Sequence, residues 1–210
     1  MKSTIKFLSI ALFVTIMAQV FAAAEVSAPP PHDASGEHAA GSEDEDFKAK
    51  VAALPIQIKV SNPNLRLMHN ASTLLVSCVD FRLRDETSRL MEDYFHLTDN
   101  YDEVVLPGAS LALVQHEYQG WSDALEHFID VVSKLHHIKR VIFLDHLGCG
   151  AYKMLIGKEH VSTEVDEEKV HQEVLSVAAS IVRNKFPGLE VYALLMGLDG
   201  VVKNCDVGAH

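Results

Sequence analysis

Residues 121–152 read WSDALEHFIDVVSKLHHIKRVIFLDHLGCGAY, and two kinds of hydrophobic spacing stand back to back in them. Ala124, Leu125, Phe128, Ile129, Val132 and Leu135 recur at helical intervals, with Trp121 at the entry, so the spacing predicts a helix over 122–135 with one apolar face. The run RVIFLD, residues 140–145, is short, branched and bounded by polar residues, as a strand buried on both faces should be. It ends in Asp145, His146 and, three positions on, Cys149 between Gly148 and Gly150, two glycines that suit a tight turn into the next helix.

The same alternation extends outward. TLLVSC (73–78), EVVLP (103–107) and EVYALLM (190–196) read as further buried strands. Residues 85–97 suit a helix after the first of them. Another helix starts near Val165, where Asp166, Glu167 and Glu168 complement a helix N-terminus, and Pro187 and Gly188 stop it. It carries Val170, Val174, Leu175, Val177, Ala178, Ile181 and Val182. Strands alternating with helices of this length imply an α/β fold with a mainly parallel β-sheet flanked by helices.

The chain has 210 residues, 48% hydrophobic and 22% charged, which is material for one sizeable core. Residues 1–24 pair Lys2 and Lys6 with a short apolar run and a small-residue end, the pattern of a cleaved secretory signal. Export is the expectation, to the periplasm in a Gram-negative cell and to the outside otherwise. Residues 25–46 are rich in Pro, Ser, Gly and acids and read as a disordered leader, in which His32 and His38 are polar filler; residues 47–210 form the folded domain. Loss of Lys2 and Lys6 takes the formal charge from −11 to −13. So acidic a chain is poorly suited to nucleic acid or to an anionic membrane surface.

Cys78 ends the first strand as His146 ends the strand at 140–145, and active sites of parallel α/β sheets gather at those carboxyl ends. Cys78, His146 and Cys149 therefore meet at one edge as two thiols and an imidazole, a ligand set suited to Zn²⁺ with a fourth position left open. In Cys78-Val79-Asp80-Phe81-Arg82 an extended backbone would put Cys78, Asp80 and Arg82 on one side, with Arg82 holding Asp80 as a carboxylate. The competing reading is a disulfide between Cys78 and Cys149, which export favours but which leaves His146, Asp80 and Arg82 without a task. Cys205 has no partner motif and reads as a buried, inert thiol. His136 and His137 fall at a helix end, where they complement its dipole.

Cys-x-Asp-x-Arg followed by His-x-x-Cys-Gly resembles the β-class carbonic anhydrases, and the resemblance spans roughly residues 70–205. It implies a zinc lyase that interconverts carbon dioxide and bicarbonate, at least dimeric, with Cys78, His146 and Cys149 as metal ligands and Asp80 with Arg82 as the catalytic dyad. In such enzymes the metal lowers the pKa of its water from about 15.7 to about 7. In some members the aspartate moves onto the metal as a fourth ligand. Three positions depart from the family pattern. Asp145 replaces a glycine and is expected to bring negative charge close to the metal. Leu106-Pro107-Gly108-Ala109-Ser110 replaces an Asn-Ala-Gly loop, and Phe81 is larger than usual. Two alternatives stand beside this reading: a zinc-binding relative without catalysis, suggested by Asp145 and the altered 106–110 loop, and an enzyme acting on carbon disulfide or carbonyl sulfide at the same site, since the ligands alone do not decide which small molecule gains access.

Overall fold

The computed structural model describes residues 40–53, 68–115 and 119–208. They belong to two units, residues 1–61 and 62–210. In the first, Ala40–Ala52 form helix α1. Lys50 in its last turn complements the helix dipole, and Lys48 pairs with Glu45 at 3.2 Å. This helix crosses position 46, where composition alone ends the leader: beyond Pro31 the sequence has no proline up to Pro55 and is rich in Ala, Glu and Lys. The signal segment and residues 25–39 lie outside the described residues.

The second unit is built on a sheet of order β2-β1-β3-β4-β5. Strands β1 (Thr73–Cys78), β2 (Tyr101–Leu106), β3 (Arg140–His146) and β4 (Glu190–Met196) run parallel, while β5 (Val202–Asn204) is antiparallel to β4. The bounds of β1 and β4 are those the sequence predicts. β2 begins two residues earlier than expected, and β3 takes in His146. β5 has only three residues, too few for hydrophobic alternation to show.

Between β1 and β2 the chain makes a 3₁₀ turn (Phe81–Leu83), helix α2 (Arg84–Arg89) and a π-turn (Leu90–Tyr94), in place of the single helix expected over 85–97. Short α3 (Leu111–Val114) precedes α4 (Gln119–Leu135), and α5 (Gly150–Leu155) precedes α6 (Glu164–Lys185). The Thr163 hydroxyl caps α6 by accepting the Asp166 amide.

Strand alternation divides the core in two. Leu74, Val76, Val141, Phe143, Val191, Ala193 and Leu195 pack with Leu125 and Ile129 of α4 and with Leu175, Ala178 and Val182 of α6. Leu75, Ile142, Leu144, Leu194 and Met196 face the other way, toward Leu83, Met91 and Leu97. Phe128 and Leu135, expected on the buried face of α4, stay exposed, so the apolar stripe is wider than the surface that covers it. From β1 the chain goes to β2 on one side and then crosses to β3 on the other. The order reverses between β1 and β3, and in open α/β sheets the crevice at the carboxyl ends of two such strands is where ligands bind.

Candidate metal centre

Cys78 closes β1, His146 closes β3, and Cys149 stands at the N-cap of α5; all three are buried at that crevice. One ligand atom from each lies within 4.8 Å of the others. The two cysteine sulfurs are 3.9 Å apart and both thiols are free. A disulfide would need about 2.05 Å, whereas two sulfurs at ~2.3 Å from a tetrahedral zinc are roughly 3.8 Å apart. The spacing is that of two ligands on one ion.

His146 shows the same preparation. Its Nδ1 donates to the Leu147 carbonyl at 2.8 Å, which fixes the tautomer with the Nε2 lone pair free, and Nε2 is buried with no hydrogen-bond partner. A buried polar atom left so costs about 1–3 kcal/mol. A metal at this point removes that cost, so the donor set fits zinc.

The thiols respond to each other. The Cys78 thiol is drawn down to about 4, chiefly because Cys149 donates to its sulfur; burial opposes this, and His146 and the Gly108 and Asp80 amides reinforce it. Cys149 moves up, because it is the donor in that bond and because it is buried. Thiols ligate a metal as thiolates, so metal uptake at this pair releases protons.

Asp80 and Arg82 come together, but not along an extended strand. β1 ends at Cys78, and Asp80 caps the 3₁₀ turn that follows, its Oδ1 accepting the Arg82 amide at 3.0 Å. The turn folds the guanidinium back onto the carboxylate: Nε donates to Oδ1 at 2.9 Å and Nη2 to Oδ2 at 2.6 Å. Arg82 thereby holds the Asp80 pKa down at about 2. Asp80 Oδ2 lies 3.8 Å from His146 Nε2, beside the ligand group, yet both its oxygens are engaged by Arg82. The ion pair thus stands beside the three-donor group that could hold a metal ion. Phe81 points to solvent and occupies none of the site.

The 106–110 loop lacks a side-chain amide but offers backbone instead. Gly108, at φ +75°, directs its N–H to the Cys78 sulfur at 3.4 Å, and a Cβ there would press on Leu111 at 3.0 Å.

Asp145 turns its carboxyl to the face opposite His146, into a hydrogen-bonded group of its own. In β3 it shares the face of Val141 and Phe143, toward α6, opposite to the face of Ile142 and Leu144. Its Oδ1 accepts the Ser110 amide at 3.0 Å; its Oδ2 accepts the Ser110 hydroxyl at 2.7 Å, the Tyr152 hydroxyl at 2.6 Å and His171 Nδ1 at 2.9 Å. None of these is a ligand residue. Tyr152 is fully buried, and burial followed by the nearby Asp145 carboxyl pushes its pKa well up. Its ring packs on that of His171 at 3.8 Å. From α6, Glu167 Oε1 accepts the amides of Gly148 at 2.9 Å and Cys149 at 3.3 Å.

Sequence reading misses Ser110, Tyr152, Glu167 and His171. The signal was present in α6, because Glu167 and His171 continue the stripe of Val174, Leu175, Ala178 and Val182 at helical spacing, and all six are buried. Cys205 is buried and its thiol is pushed up to about 11, first by burial, as an inert thiol should be. His136 lies apart from the ligand group in its contacts, with Nδ1 on Asp102 at 2.8 Å.

Known proteins match both the fold and the sequence. The chain is 51% identical over 148 residues to an uncharacterised protein of Rickettsia conorii, covering 70% of this chain and 79% of that one. It is equally identical over 148 residues to an uncharacterised protein of Rickettsia bellii, covering 70% and 90%. Among solved structures, a tetrameric β-carbonic anhydrase from the filamentous ascomycete Sordaria macrospora superposes with a TM-score of 0.51 at 13% identity, over 82% of this chain and 98% of that one. This similarity speaks for the fold. Residues 68–206 match the model of a family described as "Putative carbonic anhydrase". With Cys78, His146 and Cys149 gathered at the β1/β3 crevice of that fold, the chain belongs to this carbonic anhydrase family.

Proposed function

We propose that the protein binds one zinc ion through Cys78, His146 and Cys149 and catalyses the reversible hydration of carbon dioxide to bicarbonate and a proton. The observation that carries this is a three-donor group with an ionised, arginine-held carboxylate beside it. Zinc with three protein ligands supplies a Lewis acid at which water loses a proton near neutral pH. The residues do the rest. Asp80, without a proton of its own, accepts a hydrogen bond from a water at the site and orients its lone pair. Arg82 occupies both carboxylate oxygens and so keeps Asp80 ionised and aimed. Leu83, Leu144 and Met196 line a small space next to Cys78 and His146, with Thr87 and Ser77 as its polar members.

Asp80→Asn tests this reading. The amide turns a pure acceptor into a partial donor, and stopped-flow hydration of carbon dioxide should fall about 100-fold, with zinc unchanged at about one per chain. Carbonyl sulfide and carbon disulfide belong in the same assay. Turnover of either in the absence of carbon dioxide hydration would transfer the site to that alternative chemistry, and zinc binding without any hydration would make the protein a non-catalytic relative.

The proposal extends to assembly and location: a homo-oligomer of at least two copies, exported after loss of residues 1–24. An open groove beside β3, β4 and β5 is lined by Leu90, Tyr94, Phe95, Tyr192 and Val202 together with Glu86, Arg89 and Arg140, and Tyr94 and Tyr192 leave aromatic surface in water there. Native mass spectrometry of the exported protein should give a chain beginning near Glu25, in a complex of two or more copies. A monomer that retains Met1 contradicts both parts.

A further inference from the structure

The turn that carries Cys149 is held from a distance. Gly148 sits at φ +70°, and a Cβ there would lie 2.9 Å from Leu198 Cδ1, so the position requires glycine. Both backbone groups of Gly148 are used. Its N–H donates to Glu167 Oε1 at 2.9 Å, and its carbonyl accepts Arg82 Nη2 at 3.2 Å. The same Glu167 oxygen accepts the Cys149 amide at 3.3 Å. One buried carboxyl group on α6 thus reaches the metal ligand Cys149 directly and the Asp80–Arg82 dyad through a single peptide unit. Glu167 is itself placed by α6, and one turn further along, His171 Nε2 lies 4.0 Å from Glu167 Oε1 while its Nδ1 is anchored on Asp145.

We propose that Glu167 is a positioning residue of the metal centre, a clamp that sets the Cys149 sulfur and the Arg82–Asp80 pair in register through the amides of Gly148 and Cys149. This rests on the zinc reading above. Glycine confers the turn's shape but also the freedom to leave it, and a short α5 of six residues gives the turn little support of its own. A double acceptor on the long helix α6 restricts that freedom.

Three substitutions separate reach, shape and charge. Glu167→Gln keeps an oxygen at the same distance, Glu167→Met keeps the length but removes the acceptor, and Glu167→Asp keeps the charge but withdraws it by one methylene. Zinc affinity is measured by chelator competition, and the cobalt(II) form by its thiolate charge-transfer and d–d absorption, which report ligand geometry without reference to catalysis. Glu167→Met and Glu167→Asp should bind zinc about 10–100-fold more weakly with displaced cobalt bands. Glu167→Gln should stay within about threefold of the parent with parent-like bands. Should Glu167→Met not fold, the Asp and Gln pair carries the comparison. Parent-like affinity and spectrum in the Met or Asp variant would overturn the clamp. A parent protein that binds no zinc would overturn the metal reading instead, and the two failures are distinguishable.

Discussion

Cys78→Ser and Cys149→Ser should each reduce the zinc content of the protein from about one ion per chain to near zero and abolish the proposed hydration of carbon dioxide. A neutral hydroxyl is a poor substitute for a thiolate on a borderline-soft ion, and the two remaining donors do not complete a tetrahedral site. The change is almost isosteric, so the fold should persist. Both positions are buried at strand or helix ends, where Ser fits the space and the Gly108 amide can turn to the new hydroxyl at position 78. Metal analysis after gel filtration, with a melting curve on the same sample, checks this. Full zinc occupancy in either variant would remove that cysteine from the ligand set.

Asp145→Leu leaves the zinc in place and weakens the fold. Leucine has the same branching but is bulkier and accepts no hydrogen bond, so the Ser110 amide, the Ser110 and Tyr152 hydroxyls and His171 Nδ1 lose their shared acceptor in a fully buried setting. A stranded buried donor costs about 1–3 kcal/mol. The two hydroxyls can turn to each other across 3.3 Å, which reduces the sum to about 4 kcal/mol. For a domain of this size that is a melting temperature lower by about 8–16 °C. A thermal melt within about 2 °C of the parent would show that the group is not a unit, and loss of zinc would return Asp145 to the metal's neighbourhood.

The two predictions divide along the line between what the sequence discloses and what it conceals. The strands at 73–78 and 190–196 are read to the residue because they are short apolar runs rich in branched residues and bounded by polar ones, the pattern of strands buried on both faces. The gathering of Cys78 and His146 is legible for a related reason: parallel strands deliver their last residues to one edge, so the two meet without any knowledge of loops. What fails is anything that depends on the side of an element. Asp145 is adjacent to His146 in sequence and opposite to it in the sheet, since consecutive strand residues face opposite ways. Glu167 passes for an ordinary acid at a helix N-terminus, although helical spacing puts it in line with His171 and Leu175. The Asp80–Arg82 pair is identified correctly but for the wrong geometric reason: a capped 3₁₀ turn, not an extended strand, closes it.

A single physical design connects these parts. The crevice between β1 and β3 provides two rigid strand ends and a glycine turn, and each of the three ligand atoms is prepared differently. Cys78 receives a backbone N–H, His146 is fixed through Nδ1, and Cys149 is held through its own amide by Glu167. Ligand groups held by supporting hydrogen bonds lose less freedom when the metal arrives.

The central claim is tested most directly by stopped-flow hydration of carbon dioxide with one preparation in three states: purified, stripped of metal by a chelator, and reloaded with one equivalent of zinc. The account predicts hydration above the buffer rate in the purified protein, its loss on stripping and its return on reloading. A reloaded protein that holds one zinc per chain and hydrates no faster than buffer would contradict it.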